Sequence, residues 1–206
     1  MRLLCAGTGK RVRRFGDIIA ALRSDTNVNA SHPVFQLTRE ETRSIAFHLK
    51  DLHKRNPKAC KLLLLRLSDE MSGDISNVKP DDYTIEHVLP QRPSATSEWR
   101  RWFPVSEERV RATESLGNLV LITQQQNDRA RNASWNAKKD IYAAANVRAP
   151  LLAITDDVLD TVEWRPQDVD AREQKLIGMI DRLWRTDFTA LRKSVSLTSV
   201  PLRSAA

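Results

Sequence analysis

The stretch Tyr-Thr-Ile-Glu-His-Val-Leu-Pro, residues 83–90, is a short run of β-prone side chains that ends at a proline. A second run, Asn-Leu-Val-Leu-Ile-Thr at residues 118–123, is entered through Gly117. Both have the length and the turn residues that are typical of single strands. We therefore expect them to pair as a small antiparallel ribbon.

The sequence around this ribbon is mainly helical. Glycine and proline are sparse, with 6 and 9 residues, and apolar residues recur at helical spacing. A capping box at residues 38–41 predicts a helix that runs through His53, and Pro57 and Gly73 bound the next one. Trp99, Trp102 and Phe103 are expected to cap the core. Further helices are predicted over 106–115, 124–145, 155–164 and 167–185. The predicted fold class is mainly α with a small antiparallel β-ribbon.

The net charge of +7 favours a polyanionic partner such as nucleic acid. The longest apolar run, residues 62–65, is too short to cross a bilayer, and the N-terminal residues do not resemble a secretory signal. We therefore expect a cytoplasmic protein without a membrane partner. Cys5 and Cys60 lack metal-ligand or redox spacing and are expected to be reduced.

Glu86 and His87 are the two residues whose side chains are best suited to metal binding and catalysis. A carboxylate is a hard oxygen ligand for Mg²⁺ or Mn²⁺, and an imidazole can take a proton from water near neutral pH. Neighbours on a strand point to opposite faces, so a turn or bulge near Pro90 would be needed to direct both toward one site. Hydrolysis of a phosphodiester uses both functions.

The residues Glu86-His87-Val-Leu-Pro90, then Gly117-Asn118, then Asn127 nine residues later, resemble the ββα-metal site of HNH (His-Me finger) endonucleases. The resemblance implies that His87 is the general base and that Glu86 and Asn127 hold one Mg²⁺ or Mn²⁺. It also implies that Asn118 orients the imidazole through a backbone or side-chain oxygen. An asparagine at the last ligand position favours Mg²⁺ over zinc or nickel.

A longer stretch narrows the resemblance. With Asn132, Trp135, Lys138-Lys139 and Tyr142 added, the sequence from about Lys61 to Trp184 resembles the C-terminal nuclease domain of GmrSD-type modification-dependent restriction proteins. This group includes SspE-like proteins of phosphorothioate-linked phage defence. The resemblance implies a domain that cuts or nicks double-stranded DNA and works with an NTPase and DNA-sensing domain in cis or in trans. The sequence contains no legible DNA-recognition motif, so we do not expect a strong sequence preference.

Composition, helical spacing and the resemblance together give three expected regions. These are a helical extension over 1–80, flexible in part at 1–12, an HNH nuclease core with C-terminal helices over 81–188, and a disordered tail over 189–206. Four basic residues follow the site and are expected to contact DNA phosphates or to form a solvated face. They are Arg129, Arg131, Lys138 and Lys139.

Several assignments have structural alternatives. His87 also fits a hydrogen-bonded strand histidine, and Gly117-Asn118 also fits an ordinary turn. Asn127 and Asn132 also fit helix-capping positions, and Asn132 is an alternative metal ligand to Asn127. His32, His48 and His53 are expected to have structural roles only. The alternative function is a non-catalytic DNA-binding or partner-docking helical module.

Overall fold

The computed structural model describes residues 8–24, 32–75, 77–144, 149–186 and 188 of the 206-residue chain. Its residues divide into two compact units, one made of 1–48 with 180–206 and the other of 49–179. The predicted tail over 189–206 and residues 1–7 of the predicted flexible end lie outside the described residues. Each unit is described by itself below.

The described residues of the first unit are mainly helical. Helix α1 spans Thr8–Ser24, and α2 spans Arg39–Leu49 with all but its last residue in this unit. The predicted capping box is confirmed, because Thr38 and Glu41 exchange side-chain to backbone hydrogen bonds of 2.8 and 3.2 Å. Helix α1 was predicted only as part of the helical extension over 1–80, without bounds of its own. Its side chains include four exposed large apolar residues, Val12, Phe15, Ile19 and Leu22.

The second unit contains the ribbon and most of the helices. Its helices are α3 Leu52–Arg55, α4 Pro57–Ser72, α5 Glu98–Trp102, α6 Ser106–Glu114, α7 Gln124–Ala130, α8 Trp135–Ala143 and α9 Ala153–Asp156, with most of α10 Pro166–Trp184. Strands β1, Thr84–His87, and β2, Leu119–Ile122, pair antiparallel, with His87 opposite Leu119. The predicted fold class is confirmed. Within the described ranges, every helix is too short or too polar to span a bilayer.

Local sequence signals explain where α4 begins and ends. The Asn56 side chain accepts a hydrogen bond from the Ala59 backbone N–H at 3.0 Å, and Pro57 occupies the first turn. Gly73 ends the helix in the left-handed region with φ 77°. The predicted bounds of this helix are confirmed.

Three predicted helices are shorter than expected. The helix predicted through His53 stops at Leu49 and restarts at Leu52, because Asp51 has a left-handed backbone with φ 54°. The helix predicted over 124–145 divides into α7 and α8 at Arg131, which has φ 32°. The helix predicted over 155–164 is only the single turn α9, and the chain turns from residue 157 onward.

The core of the second unit packs around β2. All four residues of β2 are buried, and two of them, Val120 and Ile122, share one core cluster with Trp99 and Phe103, which are buried as predicted. Arg172, on α10, is also buried. It donates to the carbonyls of Gly117 at 2.7 Å and Leu119 at 2.9 Å. These bonds hold α10 against the segment that enters β2.

Candidate active site

The ribbon and α7 form a compact ββα arrangement. Glu86 and His87 are the last two residues of β1, and α7 follows β2 after a single residue, Thr123. The Asn127 side chain donates to the Ile85 carbonyl at 3.2 Å, which joins α7 to β1. The strand thus presents a carboxylate and an imidazole in adjacent positions, next to the helix that carries Asn127.

Asn118 fixes the backbone of the two residues that follow His87. Its side chain accepts from the Leu89 N–H at 2.7 Å and donates to the Leu89 carbonyl at 3.0 Å, and its own carbonyl accepts from the Val88 N–H at 2.9 Å. Trp164 donates to the same side-chain oxygen at 3.1 Å. Asn118 is fully buried. Its described contacts therefore orient the loop after His87, and the predicted bond to the imidazole itself is not among them.

The Glu86 carboxylate lies against a buried lysine. The Lys138 ammonium is 2.5 Å from Glu86 Oε1 and donates to the His87 carbonyl at 2.7 Å. The Tyr142 hydroxyl donates to the same Oε1 at 3.3 Å. Burial lowers the pKa of Lys138 while Glu86 opposes this effect, and burial together with Glu86 raises the pKa of Tyr142 well above its ordinary value.

This position corrects one expected DNA contact. Lys138 has no exposed surface, and its ammonium is bound to Glu86 and to the backbone of His87. A side chain held in this way does not reach a phosphate outside the protein. The sequence predicts a cation at this position but cannot show that its partner lies on a strand 52 residues earlier.

His87 lies against His53 and Glu114. The two imidazole rings meet edge to face, with centroids 4.9 Å apart. One potential ligand atom from each of the three residues lies within 4.8 Å of the others. The three residues form a possible metal site beside the ribbon, and we call this group the His-His-Glu cluster.

Glu114 is incompletely paired in this cluster. Its Oε1 lies 3.4 Å from the ammonium of Lys54, whose side chain is 57% exposed. Its Oε2 is buried and has no hydrogen-bond partner among the described residues. Burying a carboxylate oxygen without a partner is costly, so the position is suited to a proton or a cation.

The surroundings of His87 keep its imidazole neutral. Burial, followed by the charges of His53, Lys138 and Lys54, lowers the pKa of His87 to about 3. Burial also lowers the pKa of His53, against the opposing effect of Glu114. A neutral ring has a lone pair available, and the negative charge of an approaching phosphate would raise its affinity for a proton.

An open cleft of about 380 Å³ borders Glu86 and His87. Its lining residues are Glu86, His87, Pro90, Gln91, Arg92, Arg131 and Asn132. The Gln91 amide nitrogen is 3.4 Å from His87 Nε2. An amide nitrogen only donates, so with the Gln91 amide in this orientation Nε2 is the unprotonated ring nitrogen. The two arginines make the cleft basic.

The remaining predicted residues have different surroundings. Arg129 and Arg131 are exposed, and Arg131 also lines the cleft with φ 32°. Lys139 is half-buried, where it donates to the Thr161 carbonyl at 3.3 Å and lies over the Trp135 ring. Asn132 lines the cleft beside Glu86, whereas the side-chain nitrogen of Asn127 is engaged by β1.

His53 and Glu114 were missed as functional candidates. His53 was expected to have a structural role only, and Glu114 was not singled out. They lie 34 and 27 positions from His87 on either side of it in the chain. Neither forms a local motif with His87, so only the folded arrangement brings the three together.

Comparison with known families agrees with this geometry. A family model described as GmrSD restriction endonucleases, C-terminal domain, matches residues 37–179, more than half of the chain. Searches of curated proteins and of solved structures found no match. The matched range contains both strands, α7 and the whole His-His-Glu cluster.

Proposed function

The chain belongs to the family of GmrSD restriction endonuclease C-terminal domains, and on that premise we propose that it hydrolyses phosphodiester bonds in double-stranded DNA, with His87 as general base. The family implies a nuclease that acts in restriction. Nicking, rather than concerted cutting of both strands, is proposed because one ββα arrangement is present in the described residues and a single such site cuts one strand at a time.

The observation that carries this proposal is the position of His87. The residue ends β1 at the border of a basic cleft, its Nε2 lies 3.4 Å from the Gln91 amide nitrogen, and burial lowers its pKa and so favours the neutral ring. Asn118 and Lys138 hold the backbone on which the ring is mounted. His87 would take a proton from the attacking water, while the incoming phosphate strengthens it as a base.

Glu86 and an asparagine are the proposed ligands of one divalent cation, Mg²⁺ or Mn²⁺. Glu86 lines the cleft, and both of its described hydrogen bonds use Oε1, so Oε2 is the oxygen offered to a ligand. Asn127 is proposed as the second ligand and Asn132 as its alternative, since Asn132 lines the same cleft. Hard oxygen donors fit these cations. When bound, such a cation stabilises negative charge on the scissile phosphate and its leaving oxygen.

The ligand assignment can be tested by calorimetry with Mn²⁺. Glu86→Ala should abolish the oxygen site, and Asn127→Ala should weaken it at least about tenfold, since ligand substitutions exceed the effects of outer residues. The same loss in Asn132→Ala, with Asn127→Ala unchanged, would transfer the role to Asn132. Unchanged affinity in all three variants would remove these residues as ligands.

DNA phosphates are proposed to lie along the exposed side of the cleft. Arg129 and Arg131 are exposed and supply the positive charge, and Arg131 lines the cleft directly. Lys139 is proposed as a peripheral contact, because it must first leave the Thr161 carbonyl. Contacts of this kind position the duplex without reading its sequence.

We also propose the setting of this activity. An NTPase and DNA-sensing domain, in cis or in trans, would bring the nuclease to DNA, and phosphorothioate-linked phage defence is the proposed context. The family supports a role in restriction, and the sensing partner follows from the sequence resemblance. Co-purification with such a domain, and plasmid cleavage that depends on nucleotide, would test the partnership.

A non-catalytic role is the second candidate, and one observation favours it. The Lys138 ammonium occupies Glu86 Oε1, where it competes electrostatically with a cation. A module that binds DNA without cutting it would tolerate this pairing.

Conversion of supercoiled plasmid in Mg²⁺, with an EDTA control, separates the two functions. The nuclease predicts open-circle product that EDTA abolishes, and activity that persists in excess EDTA would contradict the cation assignment. A plasmid that is bound but not converted, with the NTPase partner and nucleotide also present, would instead support the non-catalytic module.

A further inference from the structure

The His-His-Glu cluster has the composition of a metal site that is distinct from the oxygen site proposed above. Two imidazoles and one carboxylate are the ligands of many three-coordinate protein sites for zinc, which leave a fourth position open. Imidazole nitrogen suits Zn²⁺, Co²⁺ and Ni²⁺ better than Mg²⁺. We propose that His53, His87 and Glu114 bind one transition-metal cation such as Zn²⁺, and that this cation inhibits the nuclease by occupying the lone pair of His87.

The geometry is near that of a bound ion. The ligand atoms lie within 4.8 Å of one another, and those around a tetrahedral zinc are about 3.3 Å apart. A side-chain movement of about 1.5 Å at the widest pair therefore closes the site. His53 lies on α3, a helix of one turn that follows the left-handed Asp51, so its side chain is carried by a short element that is only half-buried.

Glu114 gives an independent reason for a ligand. Its Oε2 is buried without a hydrogen-bond partner among the described residues, and it belongs to the same cluster. The neighbouring Lys54 contacts the other oxygen at 3.4 Å and is more than half exposed, so it can swing into solvent when a cation arrives. A cation would satisfy the orphaned oxygen and replace the charge of Lys54.

A second cleft, different from the proposed DNA cleft, offers a route to the cluster. His53 lines a second cleft of about 200 Å³ together with Thr84 and Ile85 of β1. His87 lines the first cleft. The two clefts have no lining residue in common, so a metal ion can approach His53 through a cleft other than the one proposed for DNA.

The inhibitory half of the proposal rests on the proposed function of His87. A neutral imidazole has one lone pair, and a cation that binds it at either ring nitrogen leaves the other nitrogen protonated. The ring then has no site that can accept a proton from water. Zn²⁺ would inhibit without displacing the catalytic Mg²⁺ from its oxygen ligands.

Binding is tested first, by calorimetry with Zn²⁺ on the metal-stripped 206-residue chain in millimolar Mg²⁺, which competes at the oxygen site. Wild type should bind one Zn²⁺ per chain. His53→Gln and Glu114→Gln should bind it at least about tenfold more weakly, because even outer-residue changes cost this much. Two matched controls, His48→Gln on α2 and Glu107→Gln on α6, alter exposed residues outside the cluster and should bind as wild type does. Equal affinity in all five proteins would overturn the site.

A wild-type measurement guards against variants that fail to fold. Co²⁺ in the cluster should give the intense visible absorption of a four-coordinate ion, and addition of Zn²⁺ should abolish it. Only weak six-coordinate bands at one equivalent of Co²⁺ would overturn the proposed nitrogen-rich site. Circular dichroism identifies any variant that fails to fold, and the affinity measured for such a variant is discarded.

The inhibitory half is tested by the ratio of plasmid nicking with and without Zn²⁺ in excess Mg²⁺. The concentration for half inhibition should rise at least about tenfold in Glu114→Gln relative to wild type and to Glu107→Gln. Zn²⁺ that binds but leaves wild-type nicking unchanged would overturn inhibition. Absence of nicking in wild type, with the proposed NTPase partner and nucleotide supplied, would overturn the proposed function and the inhibition together, while calorimetry would still decide the site.

Discussion

Glu86 and His87 are neighbours on β1, but the polar groups on the two sides of the strand differ in how fully they are paired. On the Glu86 side, Lys138 and Tyr142 both bind the carboxylate, and Lys138 also binds the strand backbone. On the His87 side, the carboxylate of Glu114 keeps one buried oxygen unpaired beside two imidazoles.

The difference separates stability from ligand binding. A buried ion pair with its hydrogen bonds in place contributes order to the strand, and removing one partner leaves an uncompensated charge. An unpaired buried group is destabilising by itself and is stabilised by any ligand that satisfies it. We expect the paired Oε1 of Glu86 to hold the strand in position, and the groups around His87 to respond to protons, to a transition metal and to DNA.

The largest expected effect comes from breaking the ion pair between Lys138 and Glu86. Lys138→Met should lower the free energy of unfolding by about 3–5 kcal/mol, because it leaves Glu86 buried without its partner. Urea denaturation measures this change. Lys139→Met, one position along the same helix and half-buried, should cost no more than about 1 kcal/mol. A Lys138→Met variant as stable as wild type would mean that the pair does not hold the strand.

A smaller effect is expected at the turn that supports both sides. Gly117 precedes Asn118, and a Cβ at Gly117 would overlap the Val169 carbonyl and lie 2.8 Å from the Glu173 backbone nitrogen. Gly117→Ala should therefore cost about 1–3 kcal/mol in thermal or urea unfolding. Gly16→Ala, where a Cβ meets nothing within 4 Å, is the control and should be neutral or stabilising. Equal stability of the two variants would contradict the close packing of α10 on this turn.

The sequence could predict the features that depend on neighbours in the chain. The two strands, the bounds of α4 and the capping box at Thr38 follow from alternation, proline, glycine and capping residues that act over a few positions. The same local signals predict Glu86 and His87 side by side at a strand end. These are the parts of the site that the structure places as expected.

Features that depend on distant residues could not be predicted. The helix breaks at Asp51 and Arg131 use left-handed or positive-φ backbone at residues other than glycine, for which the sequence contains no ordinary marker. The burial of Lys138 depends on Glu86, and the role of His53 depends on Glu114 across the fold. Long-range pairing of this kind has no local periodicity.

When metal is absent, the stability of the folded protein should depend on pH through His87. Because the pKa of His87 is lowered to about 3 in the folded protein, the unfolded chain binds the proton more tightly. Stability from this group is fully present above about pH 6.5 and is lost as pH falls toward 3, by up to about 1.4 kcal/mol per pH unit. Urea unfolding in EDTA at pH 7.5, 6 and 5 measures the loss, and His87→Gln should reduce the slope. Parallel slopes in both proteins would contradict the burial of a neutral ring.

The smallest expected effect concerns the cleft where DNA is proposed to bind. Arg131→Ala should weaken binding of a short duplex about three- to tenfold at low salt and reduce the salt dependence by about one phosphate contact. Fluorescence anisotropy at several salt concentrations measures both. Arg111→Ala, exposed on α6 and outside the cleft lining, should change neither. Equal losses in the two variants would show that the charge acts without a defined site.

Plasmid nicking by wild type and by His87→Ala, in Mg²⁺ and at equal concentrations of folded protein, tests the central claim most directly. If His87 is the general base, the variant should nick at least about a hundredfold more slowly, while its duplex affinity stays close to that of wild type. Equal nicking rates for the two proteins would contradict the assignment of His87 and, with it, the proposed mechanism.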